Sequence, residues 1–129
     1  MASRHASRRR DLPAHEHVPR PRAYGLIAQM RRAAISIPSN VAEGQVVRAP
    51  RWSLRQVAIA IASCAELDTQ LDAAVRLHVV DDPGALPLRH LLERLQQVLH
   101  GLRRAKHRQI AAGAAAATGM LFMVSLTLT

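Results

Sequence analysis

Aromatic side chains are almost missing from this chain, which carries one Trp, one Tyr and one Phe in 129 residues. Strands favour aromatic and β-branched side chains, whereas closely spaced helices can pack Ala, Leu, Ile and Val alone, so the scarcity points to an all-α fold. A single cysteine, Cys64, excludes an internal disulfide. The charged start is followed by no apolar run of the kind a secretory signal needs, and the expectation is a cytoplasmic protein. There is no glycine-rich phosphate loop and no His-Glu-x-x-His pair. His15 and His17 fall in a Pro-rich stretch, and His78, His90, His100 and His107 share no metal-ligand spacing. Metal binding and nucleophilic catalysis are left without a residue set, so a non-enzymatic protein with no metal and no cofactor is expected.

Acidic charge is also in short supply, with 9 Asp and Glu against 18 Lys and Arg for a net charge of +9. Lys106 is the one lysine; the other basic residues are arginines. Arginine forks onto phosphate and stacks on bases, which leaves RNA, DNA or another anionic surface open as partner. A GC-rich coding sequence produces the same arginine bias, and composition alone does not separate the two explanations.

What the chain does have is apolar material, 49% of its residues, enough for the core of one domain. Along YGLIAQMRRAAISIPSNVAEG (Tyr24 to Gly44), Ile27, Met30, Ala34, Ile37 and Val41 recur at alternating steps of three and four, the spacing of a helix packed against others. Pro38 bends such a helix without dividing it, because the apolar step passes through it unbroken. A second stripe runs through Leu54, Val57, Ile61, Cys64, Leu67, Leu71 and Val75, and a third through Leu88, Leu91, Leu95, Val98 and Leu102.

The spacing predicts helices over about 25–43, 51–80 and 86–108, joined by a short connection at 45–50 and a turn at Asp81, Asp82, Pro83 and Gly84. Residues 1–22 read as a disordered basic Arg/Pro arm, residues 23–108 as the bundle domain, and residues 109–129 as an Ala-rich segment without charge that extends the last helix. That segment is long enough to span a bilayer but only weakly apolar, so a membrane partner is not expected.

At this point the residues resemble a known family. The stretch from Tyr24 to Gly44 is similar to the signature helix of the four-helix bundle proteins, also called 23S rRNA intervening-sequence proteins, whose pattern reads approximately YGLxxQxRRAxxSIPxNIAEG. Residues 65–71, AELDTQL, look like that family's AELETQL; Arg76 to Val80 stand where the family has RLGYL; and Leu99-His100-Gly101-Leu102 resembles its LNGL. The resemblance implies an antiparallel up-down bundle of the four-helix type, a homopentamer with a basic surface, association with ribosomal or other nucleic acid, and no enzymatic residues. Two departures stand out. The helix that should precede the signature is replaced by the Arg/Pro arm, so the family's first helix is missing, or the uncharged C-terminal segment folds back into its place. Near the start of the helix after the signature, Trp52, Ser53 and Gln56 stand where the family has aromatics and a glutamate.

Two residue groups are candidates for function. Arg31, Arg32, Arg103, Arg104, Lys106 and Arg108 are the candidate phosphate contacts; the run at 103–108 is equally explained as a solvated helix end whose cations answer the helix dipole. Ser36, Asn40, Glu43, Arg51, Arg55, Glu66 and Gln70 form a polar seam, read as interhelical contacts that set register or as part of a ligand site. If the loop is centred near residue 47, Asn40 and Glu43 face Arg51 and Arg55, and Glu66 lies beside Gln29, Arg31 and Arg32. The functional expectation is a self-associating bundle with an RNA, DNA or scaffold role. The alternatives are a protein–protein adaptor without nucleic-acid contact and a truncated or membrane-anchored relative.

Overall fold

The computed structural model describes the backbone of residues 20–47 and 49–127, and side chains over residues 23–47 and 49–118. The described residues form three α-helices and no strand: α1 (Arg20–Val46), α2 (Pro50–Arg76) and α3 (Asp82–Thr127). The expected arm at 1–22 lies outside the described residues except for its last three, which already belong to α1. Pro21 is accommodated there because the first turn of a helix has no intrahelical partner for its N–H groups. Pro38 lies inside α1, and the helix continues through it.

Both ends of the second connection differ from the sequence expectation for local reasons. The α2 helix stops at Arg76 rather than near residue 80, in a Schellman turn: His78 N–H donates to the Val75 carbonyl at 3.0 Å and Val79 N–H to the Ala74 carbonyl at 2.9 Å. The residue at the left-handed position of that turn is His78, with φ 53°. The α3 helix then starts at Asp82, earlier than residue 86, because Asp81 caps it: its carboxylate accepts from Gly84 N–H at 3.0 Å. At the other end α3 continues to Thr127, well past residue 108, since the alanine-rich stretch contains no stop signal.

Helix α2 is the middle element. It packs against both α1 and α3, while the backbones of α1 and α3 make no close approach to one another among the described residues. Ala33 and Ile37 from α1, Ala60, Cys64, Leu67 and Leu71 from α2, and Ala85, Leu92 and Leu99 from α3 form one buried cluster. The small residues Ala33 and Ala60 keep the axes close, which explains how a core with so few rings can still exclude water. Glu43 meets Gln56 and Ser36 meets Ser63, so α1 and α2 run in opposite senses. Asp72 meets Arg89 while Ser53 and Lys106 line one cleft, so α3 runs back along α2. Residues 111–118 pass the start of α2 and are exposed, and the C-terminal segment does not fold back toward the signature helix.

Candidate functional site

The polar residues of the signature helix are spent on α2. Asn40 donates to the Ser36 carbonyl at 2.7 Å and to Ser36 Oγ at 3.0 Å, and Ser36 Oγ pairs with Ser63 Oγ at 2.8 Å. Glu43 accepts from Gln56 Nε2 at 2.9 Å. Gly44 sits so close to α2 that a Cβ there would stand 3.0 Å from Gln56 Cβ and 3.3 Å from the Ser53 carbonyl. Ser36, Asn40 and Gly44, one turn apart from each other, therefore make a narrow seam that lets the two backbones approach. Ser53 and Gln56 are buried by it. Their small or flexible side chains suit that closeness, which a bulky ring at either position would prevent.

The expected pairing of Asn40 and Glu43 with Arg51 and Arg55 is not what forms. Because α1 runs on to Val46, each partner lies one helical turn further along α2 than a loop centred at 47 would place it. Arg55 instead lies over the Trp52 ring, 5.4 Å from its centroid, and Arg51 is exposed. Glu66 accepts from Gln70 at 2.8 Å and makes no ion pair with Arg31 or Arg32. Gln56 Oε1 and Gln70 Oε1 are buried without a hydrogen-bond partner among the described residues. Each such acceptor costs about 1–3 kcal/mol.

The candidate cations separate into two places. Arg103, Arg104 and Arg108 are exposed and Lys106 is half-buried, on the part of α3 that passes the first turns of α2. Lys106 shares a cleft with Gly44, Ala49, Pro50 and Ser53, and the next cleft joins Arg51 to Gln109 and Ile110. Arg51 thus meets the α3 segment that follows the 103–108 run, and Arg55 lies one turn further along α2 at the same end. The first N–H groups of α2 also point out at this end, with no side-chain cap on Ala49, and add partial positive charge. The acidic residues Asp68, Asp72, Asp81 and Asp82 belong to the opposite half, while Glu43 lies near the basic end and Glu93 shares a cleft with Arg104. Arg31 and Arg32 lie apart: since Ser36 is level with Ser63, Arg32 is level with Leu67, roughly 20 Å along the axis from the 103–108 run at 1.5 Å per residue.

Arg51, Arg55 and Gly44 escape the sequence reading in these roles. Arg51 and Arg55 read as seam residues, and their membership of the basic end becomes visible only when the register of α2 against α3 is counted from the turn at 77–81. The close approach of Gly44 to Ser53 is signalled by the small-residue step through Ser36 and Asn40. Among the described residues no group of three His, Cys, Asp or Glu is placed to hold a metal, and no helix is long and apolar enough to cross a membrane.

A model for the family described as 23S rRNA-intervening sequence protein matches residues 11–101. No curated protein matches the chain at a significant level.

Proposed function

This chain belongs to the 23S rRNA-intervening sequence protein family, and from that premise we propose that it is a non-enzymatic, self-associating bundle whose basic end contacts the phosphates of RNA or DNA. One observation carries the reading: Lys106 of α3 and Arg51 of α2 line adjoining clefts beside the uncapped start of α2, with the exposed Arg55, Arg103, Arg104 and Arg108 on the neighbouring turns of the same two helices. A solvated helix end accounts for neither set: the cations of α3 lie in the interior of a helix that continues to Thr127, and those of α2 sit at a helix N-terminus, where positive side chains are disfavoured. Phosphate is an anion that both the guanidinium forks and the free N–H groups can meet. The signature residues Ser36, Asn40, Glu43 and Gly44 serve the fold, holding α1 against α2, rather than a ligand.

The fuller fold belonging to this reading is an antiparallel bundle of the four-helix type, assembled as a homopentamer in a cytoplasmic setting. An adaptor function toward an acidic protein uses the same surface, and is the second reading. The test compares binding of a short RNA duplex by the wild-type chain, by an Arg103→Glu, Arg104→Glu variant and by an Arg31→Glu, Arg32→Glu variant. Loss confined to the first variant supports the basic end; equal retention in both removes it as a phosphate contact.

A further inference from the structure

The apolar stripes of α1 and α3 are wider than the faces they press on α2. On α1, Ile37 is buried, Met30 and Val41 are half-buried, and Ala34 is exposed. On α3, Leu92 and Leu99 are buried and Leu95 is half-buried, but Leu91 and Val98 are 58% and 66% exposed. With 3.6 residues per turn, the exposed members of each stripe fall to one side of the buried ones. The Ser36–Ser63 bond marks the outer flank of the α1 contact and the Arg89–Asp72 ion pair the outer flank of the α3 contact. Both exposed flanks therefore turn toward the gap between α1 and α3, two helices whose backbones make no close approach among the described residues. The result is an apolar groove over α2, about 21 Å long from the level of Leu88 to that of Leu102.

The last part of the same α3 cannot fill it. That helix is continuous from Asp82 to Thr127, so residues 110–127 are carried beyond the start of α2 and away from the groove whose wall is formed by residues 88–102. This projecting part is about 27 Å long, carries no charge, and contains Met120, Leu121, Phe122, Met123, Val124 and Leu126. The groove is rimmed by the exposed side chains of Arg31 and Arg94, which repel a segment bearing this chain's usual positive charge and accept one bearing none.

We infer that residues 110–127 of one copy of this chain seat in the groove between α1 and α3 of a second copy. The tail is long enough to run the whole groove, is apolar and bears no charge, and the exchange supplies each copy with a helix on the flank that its three described helices leave open. The inference rests on the self-association proposed above and goes beyond it by naming the two surfaces.

The test measures the solution mass of full-length chains by sedimentation. A groove variant carries Leu91→Glu and Val98→Glu, and a tail variant carries Leu121→Glu and Val124→Glu. Leu91 and Val98 are exposed, so the groove variant keeps the fold, which unchanged helical circular dichroism verifies. The wild-type chain is expected to associate, each variant alone to weaken association at least tenfold, and an equimolar mixture to recover it, because the intact groove of one variant accepts the intact tail of the other. A groove variant that associates as the wild type does, or a mixture of monomeric variants that stays monomeric, overturns the inference while self-association stands. A wild-type chain that remains monomeric overturns both.

Discussion

Ser36 and Ser63 share a 2.8 Å hydrogen bond across the α1–α2 seam, and Asn40 locks the first of the two hydroxyls in place. Removing either hydroxyl leaves the other with one partner fewer in a half-buried setting. Ser63→Ala and Ser36→Ala are each expected to destabilise the chain by about 1 kcal/mol, and the double variant by less than the two together. Urea unfolding of the four chains in a double-mutant cycle measures the difference; strict additivity would deny the bond any energetic part in the seam.

Gly44 and Gly25 give opposite expectations for the same substitution. A Cβ at Gly44 meets Gln56 Cβ at 3.0 Å and backbone at 3.3 Å, whereas one at Gly25 meets nothing within 4 Å. Gly44→Ala should therefore cost about 1–3 kcal/mol by forcing α1 off α2, despite the better helix propensity of alanine. Gly25→Ala should stabilise by up to about 1 kcal/mol. Thermal unfolding of both variants provides the comparison, and a stabilised Gly44→Ala chain would show that the close approach is not a packing constraint.

His78 holds φ 53° at the end of α2, where glycine meets no steric penalty from a side chain. His78→Gly relieves that strain, although it also frees the unfolded chain, and the net expectation is a stabilisation of about 0.5–1 kcal/mol. His78→Val, β-branched at the same angle, should destabilise. Unfolding midpoints of the two variants fix the order; an unstable glycine variant would mean that the imidazole makes a contribution larger than the backbone strain.

Cys64 is fully buried against Leu92, and burial pushes its thiol above the ordinary value of about 9, with Asp68 adding to the rise and Gln96 opposing it. Below pH 9 both the native and unfolded chains keep the proton and nothing is gained or lost. Above it the unfolded chain releases the proton first, so stability falls with rising pH by up to about 1.4 kcal/mol per unit until the native thiol also ionises. Unfolding free energies between pH 8 and 10.5 should show that decline in the wild type and a shallower one in Cys64→Ala; parallel curves would contradict it.

The readable parts of this fold are those whose cause is local. Pro50 marks the first turn of α2 and Asp81 the turn before α3, because a missing N–H and a capping carboxylate act within one turn of themselves. Register between helices is not local. Three extra residues at the end of α1 shift every partner on α2 by a turn, so Glu43 reaches Gln56 while the sequence sets it against Arg51 and Arg55. The same holds for the candidate site: the run at 103–108 is legible as a run, but its meeting with Arg51 and its separation from Arg31 and Arg32 depend on how far α3 travels along α2. The apolar stripes through Met30 and Val41 and through Leu91 and Val98 are visible in sequence as well, though not the fact that α2 covers only half of each.

The measurement that most directly tests phosphate contact at the basic end is the salt dependence of binding to a short RNA duplex. With four to six cations engaged, log K should fall against log salt with a slope of about −3 to −5, and Arg103→Gln with Arg104→Gln should reduce that slope by about 1–2. A slope near zero, or one unchanged by the two substitutions, would contradict the account.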